Sequence, residues 1–268
     1  MPTIPFFQVD AFTREPFRGN PAAVCPLHHW LPDAQLQAIA VENNLSETAF
    51  LVPREAPGHC DLRWFTPVSE VKLCGHATLA SAAVLFASHT GDTLVFHTLS
   101  GPLTVTRDGD AYVMDFPAFS PQPTLVPPGL ADIIGAEILE AELSRDLVVR
   151  LADAETVRAL RPDFAALAKL DLYALIATAP GSGADADVDF VSRFFAPGHG
   201  IPEDPVTGSA HCTLAPFWAK RLGRTHLRAR QVSPRTGEIE CTLVGDRVLL
   251  RGHAVKVIEG RMFLRGQA

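Results

Sequence analysis

Two short segments carry the groups needed for proton chemistry on a small anion. Gly75-His76-Ala77 and Gly208-Ser209-Ala210 each place a glycine at the start of an apolar run with helical character. A helix start leaves its first N–H groups without intrahelical partners and with positive potential, and a glycine there lets a ligand approach bare backbone. Each would suit a small carboxylate, although the same glycines also permit tight helix packing. Glu47 lies in Asn43-Asn44-Leu45-Ser46-Glu47-Thr48-Ala49-Phe50, at the entry to an apolar strand. Burial there would make it a base or acid for a carbon-bound proton, whereas a loop glutamate read alone is more often exposed. His76 reads either as a donor to a ligand or as a satisfied core histidine. Asp204, before Pro205, reads alone as a turn or cap residue.

Metal and nucleotide chemistry find less support. Cys74, His76, His211 and Cys212 are suitable zinc ligands in kind, but Cys-x-His and adjacent His-Cys are not zinc-finger spacings. Adjacent helical residues point about 100° apart. No G-x-G-x-x-G, Walker A or G-x-S-x-G occurs.

The elements that would hold these groups repeat. Arg63-Trp64-Phe65-Thr66-Pro67 precedes Cys74-Gly75-His76-Ala77, and Arg193-Phe194-Phe195-Ala196-Pro197 precedes Thr207-Gly208-Ser209-Ala210, with 133 residues between Gly75 and Gly208. Two copies at half the chain length imply two similar halves related by a pseudo-dyad, not a solenoid. After Gly75 the run is apolar on every side, so the helix should be buried; the helix after Gly208 should kink at Pro216. Strands are expected at 50–52, 94–97, 103–106, 112–116, 147–151, 172–177, 188–195, 239–244, 248–251 and 256–264, with turns such as Asp108-Gly109 and Thr236-Gly237. A helix over 33–42 should be capped by Asp33 and closed by Asn43-Asn44. Residues 117–128 are proline-rich and read as a linker. Many strands around one buried helix per half give an α+β fold. The expected division is 1–118, rejoined by 256–268, and 119–255.

Composition limits the alternatives. The chain has 268 residues, 47% hydrophobic and 20% charged, with a net charge of −7. That is globular material with a sizeable core and no general affinity for nucleic acid. Residues 218–268 carry eleven Lys and Arg against four acids, a net of +7. With only Trp218 and Phe263 as aromatics there, solvated faces are expected in place of a nucleic-acid surface. Residues 73–91 include two histidines and several hydroxyls and make a poor membrane span. The N-terminus lacks a signal-peptide pattern. Five cysteines without C-x-x-C argue against a disulfide framework and point to a reduced, cytoplasmic setting.

Taken together, Val9-Asp10-Ala11-Phe12-Thr13, Gly19-Asn20-Pro21-Ala22-Ala23-Val24, Asn44-Leu45-Ser46-Glu47-Thr48, Cys74-Gly75-His76-Ala77-Thr78 and Glu203-Asp204-Pro205-Val206-Thr207-Gly208-Ser209-Ala210 resemble the phenazine-biosynthesis PhzF-like isomerase family. The motifs run in order from residue 9 to 210. The resemblance implies a diaminopimelate-epimerase-like fold, with each half a β-barrel-like sheet wrapped on a central helix. It also implies a cofactor-independent site in the cleft between the halves and a homodimer. By position, Glu47 matches the acid/base that moves a proton between substrate carbons, with His76 and Asp204 supporting it. Gly75, Gly208, Ser209 and Asn20 match substrate-binding positions. One departure stands out: two-base epimerases of this fold carry a cysteine before each helix-start glycine, and here the second is Thr207. A threonine hydroxyl cannot act as the opposing thiolate. Cys74 then reads as a small core residue or a secondary proton carrier.

The expected activity is a cofactor-free isomerisation of a small unsaturated or amino carboxylic acid by proton transfer through Glu47. Two alternatives stand beside it: a single-base epimerase or racemase using Glu47 with Cys74 or His76, and a non-enzymatic interaction protein that kept the fold.

Overall fold

A computed structural model describes residues 2–264. The chain forms two compact units: one runs to Asp115 and resumes at Arg251, and the other is Phe116–Leu250. Residues 265–268 of the expected closing segment lie outside the described residues.

In the first unit, Thr3–Ala11 pairs antiparallel with both Asn20–Pro26 and Ala254–Phe263. Asn20–Pro26 pairs parallel with Glu47–Pro53, which continues antiparallel into His59–Phe65. The sheet proceeds through Thr93–Thr98 and Gly101–Asp108. It wraps the helix Gly75–Phe86, whose residues from His76 to Ala82 are all buried. A helix covered on every side must satisfy its own hydroxyls. Thr78 Oγ1 donates to Cys74 O at 2.5 Å and Ser81 Oγ donates to Ala77 O at 2.7 Å.

The second unit follows the same plan. Leu147–Arg150 pairs parallel with Leu175–Pro180, and that strand pairs antiparallel with Phe190–Ala196. His226–Gln231 and Gly237–Val244 extend the sheet. The central helix is Gly208–Leu222. It runs through Pro216 without ending. Pro216 has no N–H for the Cys212 carbonyl, and the Phe119 N–H takes that carbonyl instead at 3.0 Å.

The sequence repeat is a structural repeat. Arg63 grips Glu70 with two bonds of 2.7 and 2.8 Å, and Arg193 grips Glu203 with two of the same lengths. Each guanidinium stacks on an aromatic two residues on, Phe65 at 5.1 Å and Phe195 at 5.0 Å. Both clamps hold the short strand that leads into a central helix.

The helix Asp33–Asn43 closes at Asn44 in the left-handed conformation, φ 48°. Its cap position is Pro32, not Asp33; the Asp33 carboxylate accepts from Arg63 at 2.9 Å. The strand expected at 172–177 begins at Leu175, and that at 188–195 begins at Phe190. Several of the basic C-terminal residues are paired with acids: Arg221 with Glu140 and Glu142, Arg230 with Asp185, Asp187 and Glu238, Arg224 with Asp189. All five cysteines are free and buried. Among the described residues no helix is long and apolar enough to cross a membrane.

The two clamps differ in depth. The Arg193 side chain is 6% exposed and also donates to the carbonyls of Val157, Arg158 and Leu160; the Arg63 side chain is 22% exposed. Arg193→Met should cost about 3–5 kcal/mol in urea unfolding, because it leaves a buried carboxylate and three carbonyls without donors. Arg63→Met should cost clearly less. Equal costs would contradict the assigned role of the deeper clamp.

Candidate active site

Local strand pairing brings the first cluster together. Glu47 opens its strand and sits opposite Ala22 in the parallel pair, so it lies near Asn20 at the start of the neighbouring strand. Cys74 is the N-cap of the central helix, extended at φ −146°, and His76 is the second helical residue. His76 Nε2 stands 3.0 Å from Glu47 Oε2. His76 Nδ1 lies 3.2 Å from Asn20 Nδ2 and 3.5 Å from Cys74 Sγ. The Glu47 side chain is only 14% exposed and that of His76 6%. Although close, His76 Nε2 and Glu47 Oε2 are not aligned as a hydrogen bond, and neither buried atom has another partner. The sequence alone favoured an exposed loop glutamate; the structure encloses it.

These groups set one another's charge. Burial pulls the His76 imidazole toward neutrality, but the Cys74 and Glu47 groups beside it outweigh that, and its pKa stands well above the ordinary 6.5. Burial, then the Glu47 charge, pushes the Cys74 thiol to about 11. Cys74 is therefore a neutral thiol near neutral pH, not a ready base. Glu47, Cys74 and His76 place N, O and S donors within 4.8 Å of one another. A divalent ion there would have to displace the protons of the Cys74 thiol and the His76 ring.

In the second unit Asp204 ends the strand Ile201–Asp204, and Thr207 is the N-cap of Gly208–Leu222. Thr207 Oγ1 donates to the Asp204 carboxylate. Gln231, fully buried, locks this turn: its Oε1 accepts from Thr207 N at 2.8 Å and its Nε2 donates to Asp204 O at 2.7 Å. Ser209 Oγ lies 3.3 Å from Arg145 Nη2. His211 Nδ1 donates to Thr207 O at 2.8 Å, and burial lowers its pKa to about 4, so it is neutral. Gln231 and Arg145 carry no motif in the sequence; only the sheet brings them here.

Strand register gives residue equivalences between the units. Trp64 faces Val71 as Phe194 faces Asp204, and Thr48 faces Phe65 as Leu175 faces Phe195. Glu47 therefore corresponds to Ala174, Val71 to Asp204, Cys74 to Thr207 and His76 to Ser209. The scaffold repeats and the reactive groups do not.

Comparison with known proteins gives the family and the fold. Residues 9–260 match the family described as phenazine biosynthesis-like protein, PhzC-PhzF. A Pseudomonas aeruginosa protein named an uncharacterized isomerase is 51% identical, over 96% of this chain and 98% of its own. The crystal structure of a PhzF family protein from Enterococcus faecalis superposes with TM-score 0.94 at 49% identity, covering 98% of this chain and 100% of its own. A probable proline racemase from Agrobacterium radiobacter shares the fold alone, at 10% identity and TM-score 0.62, over 98% of this chain and 93% of its own. Fold and relatives together define an isomerase of the α+β, diaminopimelate-epimerase-like class. The chain belongs to the phenazine biosynthesis-like PhzC-PhzF family.

The raised His76 pKa has a consequence for stability. The folded state holds this proton more tightly than the unfolded chain does. The stabilisation is fully present below the ordinary value of 6.5 and fades as pH rises through the higher folded value. Wild-type Tm should fall across that window more steeply than the Tm of Glu47→Gln, in which the counter-charge is gone. Equal slopes by differential scanning calorimetry would contradict the assignment.

Proposed function

We propose that this isomerase moves a proton between two carbons of a small unsaturated or amino carboxylic acid, with Glu47 as the carrier. The observation that supports this most is the buried Glu47 Oε2, held 3.0 Å from His76 Nε2 and without an aligned hydrogen bond. An enclosed carboxyl oxygen without an aligned hydrogen bond is equipped to accept a proton.

In the first step Glu47 takes a proton from a carbon made acidic by conjugation. The C–H electron pair enters the conjugated system and charge builds toward the carboxylate end. In the second step Glu47 returns the proton to a different carbon on the same face, and the electrons form the new C–H bond. Nothing is oxidised and no cofactor is required. His76 steadies the carboxylate before the transfer. The N–H groups at the start of Gly75–Phe86 offer preorganised donors to developing negative charge. Asn20, Gly75, Gly208 and Ser209 are assigned to substrate binding, and Asp204 to supporting proton chemistry. The family likeness adds a homodimer as the expected assembly.

A two-thiol racemase finds no support: Cys74 is a neutral thiol and Thr207 stands at the equivalent position.

The test is proton NMR in D₂O with a panel that includes trans-2,3-dihydro-3-hydroxyanthranilate and other small unsaturated or amino carboxylic acids. Wild type should show signal loss or double-bond migration for at least one member. Glu47→Gln should be slower by about 10²–10⁴-fold with its fold intact. An unimpaired Glu47→Gln would remove Glu47 from the mechanism.

A further inference from the structure

We infer that Arg145 and Ser209 form a carboxylate-binding fork in the second unit, and that this fork selects flat, conjugated acids as substrates. The inference rests on the assignment of Ser209 to substrate binding.

Arg145 lies in the tight connection between Glu140–Leu143 and Leu147–Arg150. Its Nε and Nη2 each donate at 3.0 Å to one oxygen of Asp146, whose side chain is 1% exposed. This side-on pair fixes the plane of the guanidinium. The opposite edge, Nη1 and the second hydrogen of Nη2, faces away from Asp146. Nη2 reaches Ser209 Oγ at 3.3 Å, and Nη1 has no partner among the described residues. The Arg145 side chain is 44% exposed, and Nη1 is its unused donor.

A carboxylate fits that edge. Its two oxygens match the two parallel donors of the fork. The Ser209 hydroxyl, now a weak acceptor from Arg145, can turn to donate to the same group. Because Asp146 balances the guanidinium charge, recognition depends on directional bonds more than on net attraction. That favours a bidentate carboxylate over a neutral amide. The surroundings add a flat face: the guanidinium carbon lies 4.7 Å from the centre of the Tyr173 ring, and the Tyr173 and His199 ring centres are 4.5 Å apart. Both residues are exposed. By strand register, the first unit has Pro21 at the position of Arg145, with no side-chain donor, so the fork belongs to one unit alone.

The probe is benzoate, with benzamide as its neutral counterpart, titrated by ligand-observed NMR. Wild type should bind benzoate and discriminate against benzamide. Arg145→Gln combined with Asp146→Asn, which leaves no bare buried carboxylate, should weaken benzoate by roughly tenfold to a hundredfold. Arg145→Lys should fall between, since an ammonium keeps the charge and loses the fork. A circular dichroism melt of each variant separates lost binding from lost folding. The proposal is overturned if the folded variants bind benzoate as wild type does. It is also overturned if benzamide binds equally well, or if wild type does not bind benzoate at tens of millimolar. Benzoate binding should persist in Glu47→Gln, so failure of the fork and failure of the proton-transfer reading give different results.

Discussion

A buried carboxylate beside a buried imidazolium is the constraint on which the site depends. Either charge alone would be costly to enclose, and each would change its protonation to escape that cost. With Cys74 beside it and Glu47 3.0 Å away, the His76 imidazole holds its proton well above the ordinary range. Local architecture is arranged around this. The parallel pairing of Asn20–Pro26 with Glu47–Pro53 sets the acid, and the helix Gly75–Phe86 begins where His76 can meet it. Cys74 contributes a neutral thiol to the same enclosure. Glu47 Oε2 and His76 Nε2 are close without being aligned as a hydrogen bond.

The internal repeat shows how such a site arises on a symmetric scaffold. Both units keep the arginine clamp, the helix-start glycine and an extended N-cap residue. These are structural needs, and each unit meets them alike. The chemistry differs position by position. The acid at Glu47 becomes Ala174, the thiol at Cys74 becomes Thr207, and a new acid, Asp204, appears where the first unit has Val71. One unit carries the acid–imidazole pair and the other carries a braced turn with an arginine fork. This asymmetry fits proton transfer by one base better than exchange between two equivalent ones.

Much of the scaffold was legible in the sequence. The all-round apolar run after Gly75 signalled a buried helix, and the paired motifs signalled two similar halves. The strand Thr3–Ala11 left no alternating signal because its last three residues, Val9, Asp10 and Ala11, are all buried. Helix continuity at Pro216 depends on Phe119, nearly a hundred residues earlier, taking the freed Cys212 carbonyl, a partner no local pattern reports. The site was legible only in part. Glu47 looked like an exposed loop residue until the family motifs singled it out, since its enclosure comes from a strand and a helix that no local pattern reports. Gln231 and Arg145 act through long-range packing against Thr207 and Ser209, and their neighbours in sequence give no hint of it.

The most direct measurement is a ¹⁵N NMR titration of the His76 ring nitrogens, assigned by their loss in His76→Gln. Both nitrogens should remain protonated well above pH 6.5 in the wild type, and Glu47→Gln should return the ring to the neutral form in that range. A wild-type His76 that titrates at or below its ordinary value, or one indifferent to Glu47→Gln, would contradict the account.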